Sequence, residues 1–339
     1  MYPETQELIK DKMLAGIYPG VVYQFMEDQA TFQQTLGYAQ IAPVLQPMTA
    51  DLLFDVASLT KVVCTLTVML QLHEATQIEW DQPLKKYLPN FENPEITLRH
   101  LLTHTSDIQT YIPQRDRLSA KELQAAYLKL QPGKDLGKKV QYTDAGTILL
   151  GFLIEEIFQK DVTEVFQSEV LQPLDMSESC FLPNNIDKRF VPTEKLVTGE
   201  ILKGVTHDPK ARTLKTHAGN AGLFSSLTDL SKFVEMYLAF GKDYLKREMI
   251  EELYQDQTPD FSGKRSLGWD LKFSDQNQAP LLFHTGYTGT FILLDSYHQS
   301  GFIFLSNRVH PVDEREKYIL ARDEIITSYL SERKKIYQK

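Results

Sequence analysis

Long apolar runs and clusters of positive charge are both missing from this chain of 339 residues. Its longest apolar stretches, such as residues 148–154, fall far short of the roughly 20 residues that cross a bilayer as a helix. The chain carries 36 Lys and Arg against 45 Asp and Glu, a net charge of −9, and its cations are scattered. Because phosphate contacts need clustered Lys and Arg, we expect neither a nucleic acid nor a membrane as a partner.

Cysteine and export signals are scarce as well. Cys64 and Cys180 are too far apart in sequence to suggest a metal knuckle or a disulfide framework, so we interpret both as reduced, buried side chains. Residues 1–17 are rich in charge and contain no apolar core of a signal peptide, which predicts a cytoplasmic protein. No pattern implies a cofactor or a metal, and the sequence gives no prediction of the oligomeric state.

The apolar content, 42% of the residues, is enough to fill cores over a length typical of about two domains. Hydrophobic patterning predicts helices over 3–14, 58–74, 98–102, 120–130, 144–158, 162–170, 227–239 and 312–334, and strands over 20–25, 31–37, 52–56, 281–284, 289–294 and 301–306. The predicted fold class is α/β (α+β), with residues 1–57 and 246–339 building one discontinuous sheet domain. Residues 58–245 form a mainly helical insertion, and the active site lies between the two. A Rossmann fold is excluded because no Gly-rich turn follows an early strand.

The most informative segment begins at Phe54, where a predicted strand leads into a buried helix that carries Ser58 and Lys61. Residues three apart share one face of a helix. A hydroxyl becomes a good nucleophile when a neighbouring group removes its proton, and an amine whose charged form is disfavoured by burial can do so. The alternative is an N-cap serine with a lysine one turn later. A second Ser-x-x-Lys, at 331–334, falls in a charged predicted helix, where we expect only a solvated surface.

Two further motifs follow Ser58-Leu59-Thr60-Lys61 in order, Tyr142-Thr143-Asp144 and His284-Thr285-Gly286. With them the sequence resembles the superfamily of serine β-lactamases and penicillin-binding proteins, on the branch of class C β-lactamases, D-alanyl-D-alanine carboxypeptidases and related esterases. The second motif matches a Tyr-x-Asn type and the third a Lys/His-Thr-Gly type. Accessory stretches at 81–89, 98–106, 172–176 and 221–225 are similar too, so the resemblance covers about residues 50–308.

The resemblance implies a β-lactamase/transpeptidase-like fold, with a central antiparallel sheet flanked by helices and an inserted all-helical domain. It implies Ser58 as the nucleophile, Lys61 as its hydrogen-bonded partner and Tyr142 as the general base or proton relay. The Lys61 cation would stabilise a Tyr142 phenolate, so which of the two holds the proton stays open.

The same resemblance implies that the strand ending in His284, Thr285 and Gly286 lines the site and binds substrate. A glycine there lets the substrate backbone approach closely. The backbone N–H groups of Ser58 and Tyr287 would form the oxyanion hole.

Three departures from the family pattern bear on these roles. Asp144 replaces an asparagine; an ionised carboxylate only accepts hydrogen bonds, and it favours a charged Lys61, which shifts the base role toward Tyr142. Asp144 also stands where a predicted helix begins, so an N-cap is an equal alternative. His284 replaces a lysine and loses a permanent charge, which weakens recognition of an anionic substrate. Ser106-Asp107 stands where Ser-Gly is common.

Two other classes compete with this interpretation. A metal hydrolase would use His100 and His104, which lie four apart, although no glutamate follows His100 as a zinc protease requires. A non-catalytic binding protein on the same fold would have no need of Ser58, Lys61 and Tyr142 together.

We therefore predict a serine hydrolase that acylates Ser58 with a small-molecule ester, amide or peptide-like substrate. The missing signal peptide favours an esterase or small-amide hydrolase. The alternatives are a D-alanyl-D-alanine carboxypeptidase and a class C-type β-lactamase.

Overall fold

Two antiparallel sheets organise the computed structural model, which describes residues 1–28, 30–259, 261, 265–273 and 280–337. In these residues the strands are β1 (Gly20–Glu27), β2 (Ala30–Gln40), β3 (Gln46–Pro47), β4 (Phe54–Asp55), β5 (Cys180–Phe181), β6 (Leu223–Ser225), β7 (Asp270–Lys272), β8 (Leu281–Gly286), β9 (Thr290–Asp295) and β10 (Ser300–Ser306). The large sheet has the order β3-β2-β1-β10-β9-β8-β7, and a small sheet has the order β4-β6-β5.

Helices cover both faces of the large sheet. Over the described residues they are α1 (Pro3–Leu14), α2 (Thr67–Glu74), α3 (Leu84–Tyr87), α4 (Leu98–Leu102), α5 (Ala120–Tyr127), α6 (Ala145–Phe158), α7 (Val162–Phe166), α8 (Pro209–Leu214), α9 (Leu227–Leu238), α10 (Arg247–Glu252) and α11 (Arg315–Tyr337). Two π-helical segments, Lys61–Leu66 and Gln167–Leu171, continue into or extend α-helices, and 3₁₀ turns span Arg115–Arg117, Lys215–His217 and Lys242–Tyr244.

The central strands separate two hydrophobic cores. Strands β9 and β10 are buried along their whole length. Because successive side chains of a strand point to opposite faces, Phe291 and Leu293 join the core beneath α1 and α11, whereas Ile292 and Leu294 join the core that the other helices fill. Burial on both faces explains why these strands are nearly continuous apolar runs in the sequence.

The predicted central antiparallel sheet with flanking helices is confirmed, and the first helix has the predicted bounds. The predicted strand over 52–56 shortens to β4, because only two of its residues pair with β6. Strands of the large sheet come from 20–47 and 270–306; the division into a sheet domain and a helical domain stays a prediction. Among the described residues, every helix is too short or too polar to cross a lipid bilayer.

Both cysteines are free, but only one of them is buried. Cys64 lies in the helical core, whereas Cys180, in the short strand β5, is half-buried. The prediction that both are buried is therefore wrong for Cys180, which lies in the edge strand β5 of the small sheet.

Candidate active site

Ser58 lies on the turn that joins β4 to the first π-helical segment, and Lys61 is the first residue of that segment. The turn requires a positive φ of 48° at Ala57, and the Asp55 carboxylate accepts a hydrogen bond of 2.8 Å from the Ala57 N–H. Lys61 is only 2% exposed, and its Nζ donates to the half-buried Ser58 Oγ over 2.7 Å. The predicted shared face of the two residues is thus realised as a direct hydrogen bond.

The accessory stretch 221–225 and the residue before it hold this turn in place. The Val56 N–H donates to the Leu223 carbonyl over 3.1 Å, and the Leu223 N–H donates to Thr60 Oγ1 over 3.2 Å. The Asn220 carbonyl accepts a hydrogen bond of 3.0 Å from Lys61 Nζ. The stretch therefore fixes the serine-bearing segment from the side of the helical core.

Asp144 lies between two lysines. Its Oδ1 is 2.7 Å from Lys61 Nζ, and its Oδ2 is 2.7 Å from the Nζ of Lys210. Lys210 Nζ is also 3.0 Å from Oδ2 of Asp208, so cations and anions alternate along the row. The Asp144 side chain makes no capping hydrogen bond to α6, so the alternative role as an N-cap is wrong.

This arrangement keeps Lys61 charged. Burial by itself would lower the pKa of Lys61, but the Asp144 carboxylate and Tyr142 outweigh it and leave the pKa above its ordinary value. For Asp144, burial would raise the pKa, but the Lys61 and Lys210 cations hold it well below its ordinary value. Burial thus disfavours the charged form of Lys61, as expected, but the buried Asp144 carboxylate compensates the buried ammonium.

Tyr142 lies over the same ammonium. Its side chain is half exposed, and its ring centroid is 5.3 Å from Lys61 Nζ. The ring packs against His104, with centroids 4.5 Å apart, and lies 6.4 Å from the His284 ring. The structure thus gathers Ser58, Tyr142 and Asp144 around Lys61.

His284 faces this group from β8 as an uncharged ring. It is 2% exposed, and its Nδ1 has no hydrogen-bond partner among the described residues. Burial, with further contributions from the Lys61 and Arg265 cations, holds the pKa of His284 well below its ordinary value. Residue 284 is therefore uncharged near neutral pH, whereas a lysine at this position would carry the permanent charge whose loss was predicted.

The hairpin of β8 and β9 is attached to the serine-bearing segment. Thr290 Oγ1 donates to the Val56 carbonyl over 3.2 Å, and Thr288 Oγ1 donates to the Asp55 carbonyl over 2.7 Å. A Cβ added at Gly286 would overlap the Val56 carbonyl oxygen. The close approach of these two segments therefore already requires a glycine here, and its role beside a substrate backbone stays a prediction.

The remaining predicted residues lie at the same end of β8. Thr285 is half-buried in the strand, and the Tyr287 side chain turns to Asp313, to which its hydroxyl donates over 2.7 Å. In the described part of the chain, neither the Ser58 N–H nor the Tyr287 N–H is used in a turn or loop hydrogen bond. Both are therefore free to serve as the predicted oxyanion donors.

The histidines of the metal alternative are used in other contacts. His100 Nδ1 accepts from the Thr97 N–H over 3.2 Å in the capping box that begins α4. His104 Nδ1 accepts from the Thr143 N–H over 3.4 Å and so supports the loop that carries Tyr142. These hydrogen bonds account for both residues without a metal.

Asp107, which departs from the family pattern, keeps a glycine-like backbone. Its φ is 46°, a left-handed conformation that aspartate tolerates better than most residues. Its Oδ2 accepts a hydrogen bond of 2.9 Å from the Asp135 N–H. The loop therefore retains the conformation for which a glycine is commonly used and gains a side-chain contact.

Sequence analysis missed Lys210, Asp208, Asn220 and Arg265. Arg265 is buried, pairs with Asp270 and places its guanidinium carbon 5.8 Å from the Tyr142 ring centroid. An Asp followed by a Pro at 208–209 is typical of a helix start, and α8 does begin there. No local signal indicates that the next residue reaches Asp144.

Comparison with known proteins gives consistent matches over most of the chain. The family model described as Beta-lactamase matches residues 5–325. The "N-acetylmuramyl-L-alanine amidase" of Bacillus subtilis (strain 168) is 24% identical, over 93% of this chain and 82% of that protein. The "Putative D-alanyl-D-alanine carboxypeptidase" of Escherichia coli (strain K12) is 25% identical, over 88% of this chain and 81% of that protein. The solved structure of EstCE1, a hydrolase with promiscuous acyltransferase activity, has a similar fold, with a TM-score of 0.76 at 17% identity over 95% of this chain and 97% of that one.

Proposed function

Because the chain belongs to the β-lactamase family, whose model spans residues 5–325, we propose that it is a serine hydrolase that forms an acyl-enzyme on Ser58 and hydrolyses a small ester or amide. The observation that carries this proposal is the 2.7 Å hydrogen bond from the buried Lys61 ammonium to the half-buried Ser58 hydroxyl. A buried cation beside a hydroxyl stabilises the negative charge that develops on that oxygen during attack.

The proton of Ser58 goes to Tyr142 in this proposal. A charged amine has no lone pair, so Lys61 cannot accept a proton while Asp144 keeps it protonated. The Tyr142 ring, whose centroid is 5.3 Å from Lys61 Nζ, is the nearby side chain that we assign as the proton acceptor instead. Tyr142 as a phenolate takes the Ser58 proton as Oγ attacks the carbonyl carbon, and it then gives that proton to the leaving alcohol or amine.

The oxyanion of each tetrahedral intermediate accepts hydrogen bonds from the backbone N–H groups of Ser58 and Tyr287. In the second half of the cycle Tyr142 takes a proton from water, and the resulting hydroxide attacks the acyl carbon. The carbon–Oγ bond then breaks, and Ser58 recovers its proton from Tyr142. No cofactor is needed for either half.

The part of the site that lies on β8, which is formed by His284, Thr285 and Gly286, favours an ester or small amide over a substrate with a free carboxylate. His284 is uncharged near neutral pH and offers no cation at the position where the family commonly has lysine. A D-alanyl-D-alanine carboxypeptidase remains the second candidate, because the Escherichia coli relative carries that name. A class C-type β-lactamase and a non-catalytic binding protein are the further alternatives.

Labelling with a fluorophosphonate probe tests the proposal. We expect the wild-type protein to be labelled and the Ser58→Ala variant not to be, because the probe phosphonylates an activated serine. Ser331→Ala is the matched control, since it removes the serine of the other Ser-x-x-Lys sequence, and its labelling should equal that of wild type. Equal labelling of wild type and Ser58→Ala, or none of either, would decide for the non-catalytic protein.

A substrate panel then ranks the alternatives. Turnover of p-nitrophenyl esters well above that of nitrocefin and D-alanyl dipeptides is the expected result. Release of D-alanine at a higher kcat/KM than any ester would replace the esterase proposal with the carboxypeptidase, and the same result with nitrocefin would replace it with the β-lactamase.

A further inference from the structure

Tyr287, which carries one of the two proposed oxyanion donors, lies on an exposed turn. The turn joins β8 to β9 and is closed by a hydrogen bond of 3.1 Å from the Gly289 N–H to the Gly286 carbonyl. Tyr287 is 45% exposed and lies in none of the hydrophobic cores that the described residues form. A turn residue with so little apolar packing needs polar contacts to keep one orientation.

One ion pair contacts Tyr287 at three places. Arg308, which follows β10, is 5% exposed and pairs through Nη1 with Oδ1 of Asp313. Its Nε donates to the Tyr287 carbonyl over 2.8 Å, and its guanidinium carbon lies 4.6 Å from the centroid of the Tyr287 ring. Oδ2 of Asp313 accepts the hydrogen bond of 2.7 Å from the Tyr287 hydroxyl. The pair therefore holds the carbonyl, the ring and the hydroxyl of one residue.

A further contact of the Tyr287 ring links the turn to the segment that carries the nucleophile. The ring stacks on His207, with centroids 5.4 Å apart and planes 20° apart. The His207 N–H donates over 2.7 Å to Oδ2 of Asp55. Oδ1 of the same carboxylate accepts from the N–H of Ala57, next to Ser58. The orientation of Tyr287 therefore bears on how the two proposed oxyanion donors lie relative to each other.

Stability alone is a weak reason for burying Arg308. A buried ion pair stabilises a fold little more than well-packed apolar side chains of similar size. Arginine offers instead a rigid planar fork that binds two acceptors at once, here the Asp313 carboxylate and the Tyr287 carbonyl. A Cβ added at Gly289 would overlap the Arg308 side chain, so the arginine lies tightly against the turn. These contacts are suited to holding the turn in one orientation.

We propose that Arg308 and Asp313 are positioning residues, which hold the Tyr287 N–H in the orientation that the oxyanion requires. This inference rests on the proposed function, in which that N–H is one of the two oxyanion donors. Such a donor stabilises the transition state only when it is already aligned with the developing charge. Loss of the pair should therefore lower kcat more than it raises KM.

The preference for oxygen over sulfur in the scissile carbonyl measures this alignment. A thiono ester has sulfur in place of the carbonyl oxygen, and sulfur is a weak acceptor that gains little from an oxyanion hole. We expect Arg308→Met to lower kcat for a p-nitrophenyl ester about tenfold, less than the loss of a whole oxyanion donor. The ratio of kcat/KM for this ester to that for its thiono analogue should fall by a similar factor. Intrinsic reactivity cancels when variants are compared.

Arg308→Lys serves if the methionine variant unfolds. It keeps a cation beside Asp313 but lacks the planar fork, so the ratio should fall as well. Arg333→Lys is the matched control, because Arg333 is also buried and paired with an aspartate, Asp295, at the end of β9 remote from Tyr287. Thermal unfolding compares the stability of the two lysine variants. The control should keep the wild-type ratio, and an unchanged ratio in the folded Arg308 variants overturns the inference.

The Tyr287 amide separates this inference from the hydrolase proposal. In protein labelled with ¹⁵N-tyrosine, the Tyr287 signal is the one that Tyr287→Phe removes. We expect the order parameter of this N–H to be about 0.85 in wild type and below about 0.6 in Arg308→Lys. That result supports the positioning role even if wild type hydrolyses no ester. An order parameter that is the same in both proteins overturns the inference whatever the catalytic result.

Discussion

Two residues that face each other in the site are equally buried and yet have opposite pKa shifts. Lys61 and His284 are each 2% exposed. Burial disfavours the cation of both, but the pKa of Lys61 ends above its ordinary value and that of His284 well below it. The difference comes from the neighbours, because Lys61 has the Asp144 carboxylate at 2.7 Å whereas His284 faces the cations of Lys61 and Arg265.

The comparison extends to the two sides of the site. The lysine side (Lys61, Asp144, Lys210 and Asp208) keeps its charges because each one has a counter-ion at hydrogen-bond distance. The strand side (His284, Thr285 and Gly286) is uncharged near neutral pH. A buried charge is retained only where the fold supplies its partner. We therefore expect charge stabilisation in the reaction to come from the lysine side.

Removing the Lys61 cation should lower the activity most severely. We expect Lys61→Met to lower kcat/KM for p-nitrophenyl esters by about three orders of magnitude or more, because the serine loses the group that stabilises its alkoxide. The fold should survive, since Asp144 keeps its contact with Lys210. Steady-state kinetics and thermal unfolding of the same preparation measure both.

Lys334→Met is the matched control for this variant. It removes the lysine of the other Ser-x-x-Lys sequence, on α11, and should leave kcat/KM within about twofold of wild type. Turnover of Lys61→Met near the wild-type rate would refute the role of Lys61.

Removing the counter-ion of Lys61 tests why the pKa of Lys61 differs from that of His284. The Asp144 carboxylate raises the pKa of Lys61, so Asp144→Asn should let Lys61 lose its proton at lower pH. Because the proposed mechanism needs a charged Lys61, the alkaline limb of the kcat/KM profile should move down by about one pH unit or more. A pH–rate profile with a p-nitrophenyl ester measures the shift.

Asp135→Asn provides the control for charge removal, because the Asp135 pair with Lys139, at 2.8 Å, is a surface contact between neighbouring turns. Its pH profile should match that of wild type. An alkaline limb of Asp144→Asn that stays in place or moves upward contradicts the assignment of a charged Lys61.

Features of the fold and of the site could be predicted from the sequence where the residues that form them are close together along the chain. The hydrogen bond between Ser58 and Lys61 is local, since residues three apart meet on one turn. The central strands could be predicted because a strand that is buried on both faces consists of consecutive apolar residues. Strands of two or three residues, such as β5 and β6, are too short to have a hydrophobic period and were missed.

The charge balance of the site could not be predicted in the same way. Asp144 fitted an N-cap and an ion-pair role equally well, since both need only a carboxylate before a helix. The contact of Asp144 with Lys210 distinguishes the two roles, and this contact depends on where the fold places α8, which packs against α5. Neither the protonation of Lys61 nor that of His284 follows from residue type, because each is set by partners distant along the chain.

The smallest expected effect concerns the strand side and shows in stability rather than in rate. Below the ordinary histidine pKa of about 6.5, the unfolded chain takes up a proton at residue 284 that the folded chain does not, because the folded pKa of His284 is well below this value. Stability therefore falls as the pH falls below about 6.5. His284→Gln abolishes this uptake, so its free energy of unfolding should depend less on pH, by up to about 1.4 kcal/mol per pH unit.

Urea unfolding of both proteins at several values between about pH 5 and 8 measures these slopes. The lysine side does not obscure the result, because the lowered pKa of Asp144 makes its contribution present above the ordinary aspartate pKa and lost only below about 4. A His284→Gln slope equal to that of wild type above pH 5 would mean that the folded protein also protonates residue 284, and the strand side would then carry charge like the lysine side.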